Sequence, residues 1–368
     1  MSKDEKWWQE EELFLDQDRK EGRKERKIAT TKDRSKFKKS NQDQLKKQGE
    51  ALKSSSEHLL KGRVLALTPE GALVALGEEV LLSQLRGSLK QEKKAAKNLL
   101  AVGDFVSVDR HKEGFASITS IEERYSVLSR ADNLSRNKEQ LIAVNIDQVL
   151  ITASVVLPSL KPSLIDRYII AAQKGNMTPI ILINKIDLLS QATQEEKELY
   201  ALFMKTYCAL GFHVIAISCE SQEGLCELKE VMKGKASVFS GQSGVGKSSL
   251  INWVTDSSLL TGSIVQKTKK GSHTTTTTHL IPLEAGGFCI DTPGIKSFGV
   301  WDLQVEEVSP HFKEIFSTSR HCKYSNCSHL NEPECAVKKA VEEGAISPLR
   351  FASYLAILSS IKEKHTQR

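Results

Sequence analysis

A run of eight residues limits the folds open to this chain: Gly241-Gln242-Ser243-Gly244-Val245-Gly246-Lys247-Ser248. It fits G-x-x-x-x-G-K-[ST], the phosphate-binding P-loop pattern. The chemistry needs these residue types. Glycines let successive backbone N–H groups turn inward onto phosphate oxygens. Lys247 would reach the outer phosphates, and the Ser248 hydroxyl would hold Mg2+. The preceding Ser237-Val238-Phe239-Ser240 reads as a strand, and Ser249-Leu250-Ile251-Asn252-Trp253 can open a helix. A helix N-terminus aimed at phosphate adds a favourable dipole. The bland alternative is a Gly-Ser turn with a stray lysine.

The length, 368 residues, suggests two or three domains. At 39% hydrophobic and 27% charged, the composition is ordinary for a soluble protein. No run of about 18 apolar residues occurs, so no membrane-spanning helix is expected. The first residues are charged from Lys3 onward, which argues against a signal peptide and for a reducing, cytoplasmic location. Seven cysteines, three of them between Cys322 and Cys335, favour a metal site over disulfides.

Residues 1–57 read as a charged extension. Its first part is acidic, with Trp7, Trp8, Leu13, Phe14 and Leu15 interleaved, and the stretch 19–47 is basic. Few apolar side chains offset the entropy of ordering, so disorder is expected. Two readings stay open: a solvated tail, or an electrostatic arm for RNA phosphates. Residues 58–130 change character. Short strands are expected at 62–67, 72–76, 80–82, 102–108 and 115–121. Five short strands in this space suggest a small closed barrel, with an OB-fold favoured over an SH3-like one. The cations of 86–97 fall in an inter-strand loop where RNA contacts are expected.

An α/β region is expected from 131 to 300. Buried strands are predicted at 147–153, 179–183 and 214–217, with a helix at 164–174 ending at Gly175. Thr193 and Glu196 form a capping-box pair ahead of a further helix. The alternation implies a parallel sheet with helices on both faces.

The strand at 179–183 leads into Asn184-Lys185-Ile186-Asp187, an N-K-x-D run. The Asp187 carboxylate can accept from both N1–H and N2–H of guanine, a pair that adenine lacks. Asn184 would tie the loop together, and the Lys185 stem would lie across the base. The third strand ends at Ser218-Cys219, and Ser218 and Ser240 complete the expected nucleotide contacts. After the P-loop comes Lys269-Lys270-Gly271-Ser272-His273-Thr274-Thr275-Thr276-Thr277-Thr278. A threonine of this run, with Thr275 the candidate, would reach Mg2+ and the γ-phosphate from a mobile loop. Asp291-Thr292-Pro293-Gly294 follows a strand. Asp291 would hold Mg2+ through water, and the Gly294 N–H would sense the γ-phosphate.

These parts resemble the guanine-nucleotide motifs of GTPases in rotated order, since N-K-x-D precedes the P-loop. A domain whose termini are close in space tolerates such a cut. With a barrel before and a Cys/His cluster after, the chain resembles the circularly permuted RsgA (YjeQ or EngC) family of ribosome small-subunit GTPases. Val144-Asn145-Ile146-Asp147-Gln148-Val149-Leu150 and Leu164-Ile165-Asp166-Arg167-Tyr168 belong to the same resemblance, which leaves the first 58 residues uncovered. It implies hydrolysis of GTP to GDP coupled to late maturation of the small (30S) ribosomal subunit. It also implies contact with ribosomal RNA, other maturation factors as possible partners, and a monomer. His273 is the switch histidine that the resemblance offers as a catalytic helper beside Lys247 and Thr275. Ile295 follows the D-x-x-G glycine and cannot orient a water, so unaided turnover is expected to be slow.

Cys322-x4-Cys327-x-His329-x5-Cys335 supplies three thiolates and an imidazole within 14 residues, a set suited to a closed tetrahedral zinc site. His321 is a competing imidazole, and the family pattern favours His329. Residues 301–368 would form this zinc-binding helical domain. Cys208, Cys219, Cys226 and Cys289 are expected in the core, and His311 and His321 on the surface. The alternative to an enzyme is a non-catalytic, GTP-dependent RNA-binding module, and a metal-insertion factor is a more distant one.

Overall fold

The computed structural model describes residues 59–77, 79–86, 99–110, 116–131, 139–256, 278–291 and 303–366. The extension 1–57 and most of the basic loop at 86–97 therefore lie outside the described residues.

Alternating burial builds the first element group. Strands β1 (Leu60–Thr68), β2 (Gly71–Leu76), β3 (Glu79–Leu85), β4 (Phe105–Arg110) and β5 (Ala116–Ile121) run in the order β1-β2-β3-β5-β4. A β1–β4 pairing closes the barrel, and β3–β5 is its parallel contact. Val64, Val74, Val106, Val108 and Ile118 fill the interior. This is the OB-like barrel expected from the sequence. Strand β1 serves two cores, as successive side chains on a strand must point to opposite faces. Val64 enters the barrel, whereas Leu65 joins the core of the α/β region.

A hairpin, β6 (Val127–Ala131) with β7 (Glu139–Val144), follows the barrel. The α/β sheet then forms from β8 (Gln148–Ser154), β9 (Thr178–Asn184), β10 (His213–Ile217), β11 (Ala236–Ser240), β12 (His279–Pro282) and β13 (Phe288–Asp291). Its order is β10-β9-β8-β11-β13-β12, parallel except for β12. Every residue of β8 and β11 is buried, as expected of central parallel strands. One registered pair, Ala66 with His279, joins β12 to barrel strand β1.

Helix α1 (Pro162–Lys174) starts on a proline and ends at Gly175. Helix α2 (Gln194–Ala209) opens with the expected capping box: Glu196 N–H donates to Thr193 Oγ1, and Thr193 N–H to Glu196 Oε2. Helices α3 (Leu225–Met232) and α4 (Lys247–Asp256) complete the α/β layers. The C-terminal part contains α5 (Val305–Val308), α6 (Lys313–Ser319), α7 (Ala336–Glu342) and α8 (Pro348–Thr366). Its core of Val308, Phe312, Ile315, Val337, Ile357 and Leu358 also takes in Ile170 of α1. Among the described residues, no helix is long and apolar enough to cross a membrane.

Some expectations need correction. Cys208 and Cys226 are exposed rather than core, because they lie on the outward faces of α2 and α3; Cys289 is buried. His311 is half-buried, and its Nδ1 lies 2.7 Å from Gln173 Oε1 of α1. The hairpin β6–β7 is an addition to the strands expected from the sequence, since Arg130, Glu139 and Gln140 break the apolar alternation of its strands.

Candidate nucleotide and metal sites

Three strand ends converge at one edge of the α/β sheet. Strand β11 delivers the P-loop, β9 delivers Asn184-Lys185-Ile186-Asp187, and β10 delivers Ser218. They lie at the carboxyl ends of parallel strands, where open α/β sheets bind ligands.

The P-loop glycines are demanded by space as well as by conformation. Gly241 has φ +144, and a Cβ there would sit 2.0 Å from Thr152 O. Gly246 has φ +95, and a Cβ would sit 2.3 Å from Asn184 Nδ2. The loop and the N-K-x-D run are thus packed without room for a methyl group. Asn184 closes this contact by donating from Nδ2 to Val245 O at 2.8 Å. Asn184 Oδ1 and Ser240 Oγ are buried without a hydrogen-bond partner among the described residues.

Lys247 opens α4 and donates to Gly241 O and Gln242 O, each at 2.6 Å. Burial lowers its pKa to about 8. Ser248 is exposed in the first turn of α4, beside exposed Ser243 and Gly244. Lys185 takes a left-handed backbone at φ 63 and donates to Gly244 O at 2.6 Å and to Leu157 O at 2.5 Å. Ser218 Oγ donates to Asp187 Oδ1 at 2.5 Å and accepts from the N–H groups of Glu220 and Ser221. The serine thereby fixes one carboxylate oxygen of Asp187. Ile186 is buried beneath the loop.

Asp291 ends β13, which is parallel to the P-loop strand β11, and it pairs in register with His279 of β12. His273, Thr275 and Gly294 lie outside the described residues. The structure therefore brings together the loop 241–248, the Asn184-Lys185-Ile186-Asp187 run and the strand carrying Asp291.

A second cluster lies in the C-terminal part. One ligand atom from each of Cys322, Cys327, His329 and Cys335 lies within 4.8 Å of every other. His329 Nδ1 is 3.4 Å from Cys335 Sγ and 3.7 Å from Cys322 Sγ. His321 is exposed and outside this set. Burial lowers the His329 pKa, which favours the neutral imidazole. Burial also pushes the Cys327 thiol up to about 12. Three sulfurs and one nitrogen gathered within 4.8 Å of one another match the donor chemistry of a tetrahedral site. The Glu332 carboxylate pins the ligand loop by accepting from Ser328 N, Ser328 Oγ and Leu330 N.

Among the described residues two arginine-centred junctions tie these parts together, and neither arginine lies in a motif. Arg350 of α8 is buried against Asp166 of α1 and donates from Nε to Glu314 Oε1 at 2.7 Å. Its guanidinium lies 4.1 Å from the Phe312 ring centroid. At the barrel, the Arg63 guanidinium sits 4.9 Å from the Phe105 ring centroid and 4.7 Å from that of Phe288, and it donates to Asn145 O. Both arginines could have been suspected only as apolar-flanked cations in otherwise buried stretches.

Residues 121–301 match the family model described as RsgA GTPase. The chain is 38% identical over 309 residues to the small ribosomal subunit biogenesis GTPase RsgA of Bacteroides fragilis, an alignment spanning 83% of this chain and 98% of that one. With its counterpart in Haemophilus influenzae it shares 38% identity over 274 residues, 73% of this chain and 78% of the relative. Among solved structures, YjeQ from Thermotoga maritima aligns with a TM-score of 0.67 at 29% identity, covering 83% of this chain and 99% of that one. YloQ, described as a circularly permuted GTPase, aligns with a TM-score of 0.64 at 29% identity, covering 84% and 96%.

Proposed function

The chain belongs to the RsgA family of GTPases, and from that premise we propose that it hydrolyses GTP on the small ribosomal subunit during the subunit's late maturation. The observation that carries the site assignment is the convergence of Lys247, Asn184 and the Ser218–Asp187 pair on one sheet edge. In this reading Asp187 accepts from the guanine N1–H and N2–H, and Ser218 holds the carboxylate in place. The Lys185 stem covers the base. The P-loop amides of 241–246, with Ser240 beside them, receive the phosphates, and Lys247 leaves its carbonyl partners for phosphate oxygens.

Ser248 and Asp291 would hold Mg2+, which would offset charge developing between the β- and γ-phosphates. Thr275, His273 and Gly294 are assigned to the γ-phosphate side. Ile295 keeps hydrolysis slow until the ribosomal partner reorders the switch segments. Cys322, Cys327, His329 and Cys335 would hold one structural zinc, with all four positions taken by protein.

We divide the chain into the extension 1–57, the barrel 58–130, the permuted GTPase domain 131–300 and the zinc-binding helical domain 301–368. Barrel and zinc-binding domain are assigned to ribosomal RNA, and the protein acts as a cytoplasmic monomer beside other maturation factors.

The deciding experiment measures GTP turnover by the purified chain, alone and with isolated 30S subunits, with Lys247→Ala as the control. The proposal expects strong stimulation that the control abolishes. Tight GTP binding with unstimulated turnover would favour a non-catalytic RNA-binding module instead.

A further inference from the structure

The Lys185 ammonium is shared between two carbonyls from two different loops. Gly244 belongs to the P-loop. Leu157 belongs to the connection between β8 and α1, outside every motif of the site. Both residues of the Lys185–Leu157 hydrogen bond have left-handed backbones, φ 63 and φ 52. Such conformations in residues with side chains persist where surrounding contacts over-determine them.

Ser154 supplies such a contact. It ends β8, is buried, and stands in register with Asn184 on the neighbouring strand. Its Oγ donates to Pro158 O at 2.6 Å, a bond that spans Leu157. The Leu157 side chain is 73% exposed, so its own packing does not hold the turn. Val155 N–H adds a second tie, to Asn184 O at 3.3 Å.

We propose that Ser154 is a positioning residue for guanine-nucleotide binding. By fixing the turn at 154–158, it aims the Leu157 carbonyl at the Lys185 ammonium and keeps the lysine stem extended across the base. A lysine tethered at its tip has fewer rotamers to lose when the nucleotide arrives. The effect concerns the base, which GDP and GTP share, and leaves γ-phosphate sensing alone. The inference rests on reading Asn184-Lys185-Ile186-Asp187 as the guanine loop.

The test is a double-mutant cycle on the full chain, with fluorescent GDP and GTP analogues as probes. Ser154→Ala is expected to weaken both nucleotides equally, by about tenfold, mainly through faster dissociation. Lys185→Ala is expected to weaken them further. The double variant is expected to bind no worse than Lys185→Ala alone, because serine acts only through the lysine. Leu157→Gly, which takes the same left-handed backbone without strain and keeps the carbonyl that Lys185 reaches, should bind like the wild type. Unchanged affinity in Ser154→Ala, or losses in Ser154→Ala that multiply with that of Lys185→Ala, overturns the proposal. If Lys185→Ala itself binds normally, the guanine-loop reading fails, and the positioning role falls with it.

Discussion

Arg350 and Asp166 form a buried ion pair that joins the last helix to the first helix of the α/β region. The two residues are 184 positions apart. Around them, Arg167 reaches Ser360, Lys174 reaches Glu307, and Thr206 meets Ser347. The C-terminal part is thus seated on α1 and α2 by a set of polar contacts around an apolar centre.

Removing one partner of a buried pair strands the other charge. Arg350→Met is expected to cost about 3–5 kcal/mol of stability at pH 7, read from urea unfolding. Burial raises the Asp166 pKa to about 6. A carboxyl raised in the folded state is favoured when protonated, so its contribution falls as pH climbs through about 6. The loss in Arg350→Met should therefore be smaller at pH 5, where the stranded carboxyl takes up a proton.

Nucleotide affinity should depend on the charge of Lys247. Burial brings its pKa to about 8, and phosphate favours the charged form. Binding then takes up a proton above that pH, so GDP affinity is full below it and declines as pH rises. A fall of several-fold between about pH 7.5 and 9 is expected for the wild type by linkage. Lys247→Gln should bind more weakly and show a flat profile over the same range by titration calorimetry.

Alanine substitutions in the P-loop should rank by what the added carbon meets. At Gly241 it meets the Thr152 carbonyl, and at Gly246 the Asn184 amide. At Gly244 only Pro158 Cδ lies nearby, at 3.7 Å, although φ is +81. Gly241→Ala and Gly246→Ala are expected to lose at least about 100-fold in GDP affinity, while Gly244→Ala loses about tenfold, the cost of a left-handed alanine. Equal losses at all three positions would show that conformation alone matters.

The Cys/His cluster should carry one zinc per chain, measurable by elemental analysis. Cys335→Ser is expected to lose the metal and, with it, the order of the ligand loop around Cys322 and His329. A chelator should lower the melting temperature of the wild type and leave that of Cys335→Ser unchanged.

Local chemistry was legible in the sequence because its signals are contiguous. The P-loop, the N-K-x-D run, the capping box of Thr193 and Glu196 and the cysteine spacing each fit within one short window. The five-strand barrel was legible for the same reason, since alternation and turns repeat along β1 to β5. What stayed hidden depends on partners far apart in the chain. Nothing near Asp166 announces Arg350, and nothing near Arg63 announces Phe288. Cys208 and Cys226 were misplaced because apolar neighbours on a helix do not say which way a given residue faces. Ser154 carries no motif at all; only the register of β8 against β9 puts it one strand from Asn184.

The pairing of Ala66 with His279 makes barrel and α/β region one continuous hydrogen-bonded ribbon. Strand β12 is covered by β13 on one side and met by β1 on the other. A fragment lacking the barrel would lose this one pairing and leave the His279 end of β12 without its β1 neighbour. The barrel therefore meets the last strand of the α/β sheet at one end only, so the two sheets share a border no longer than a single residue pair.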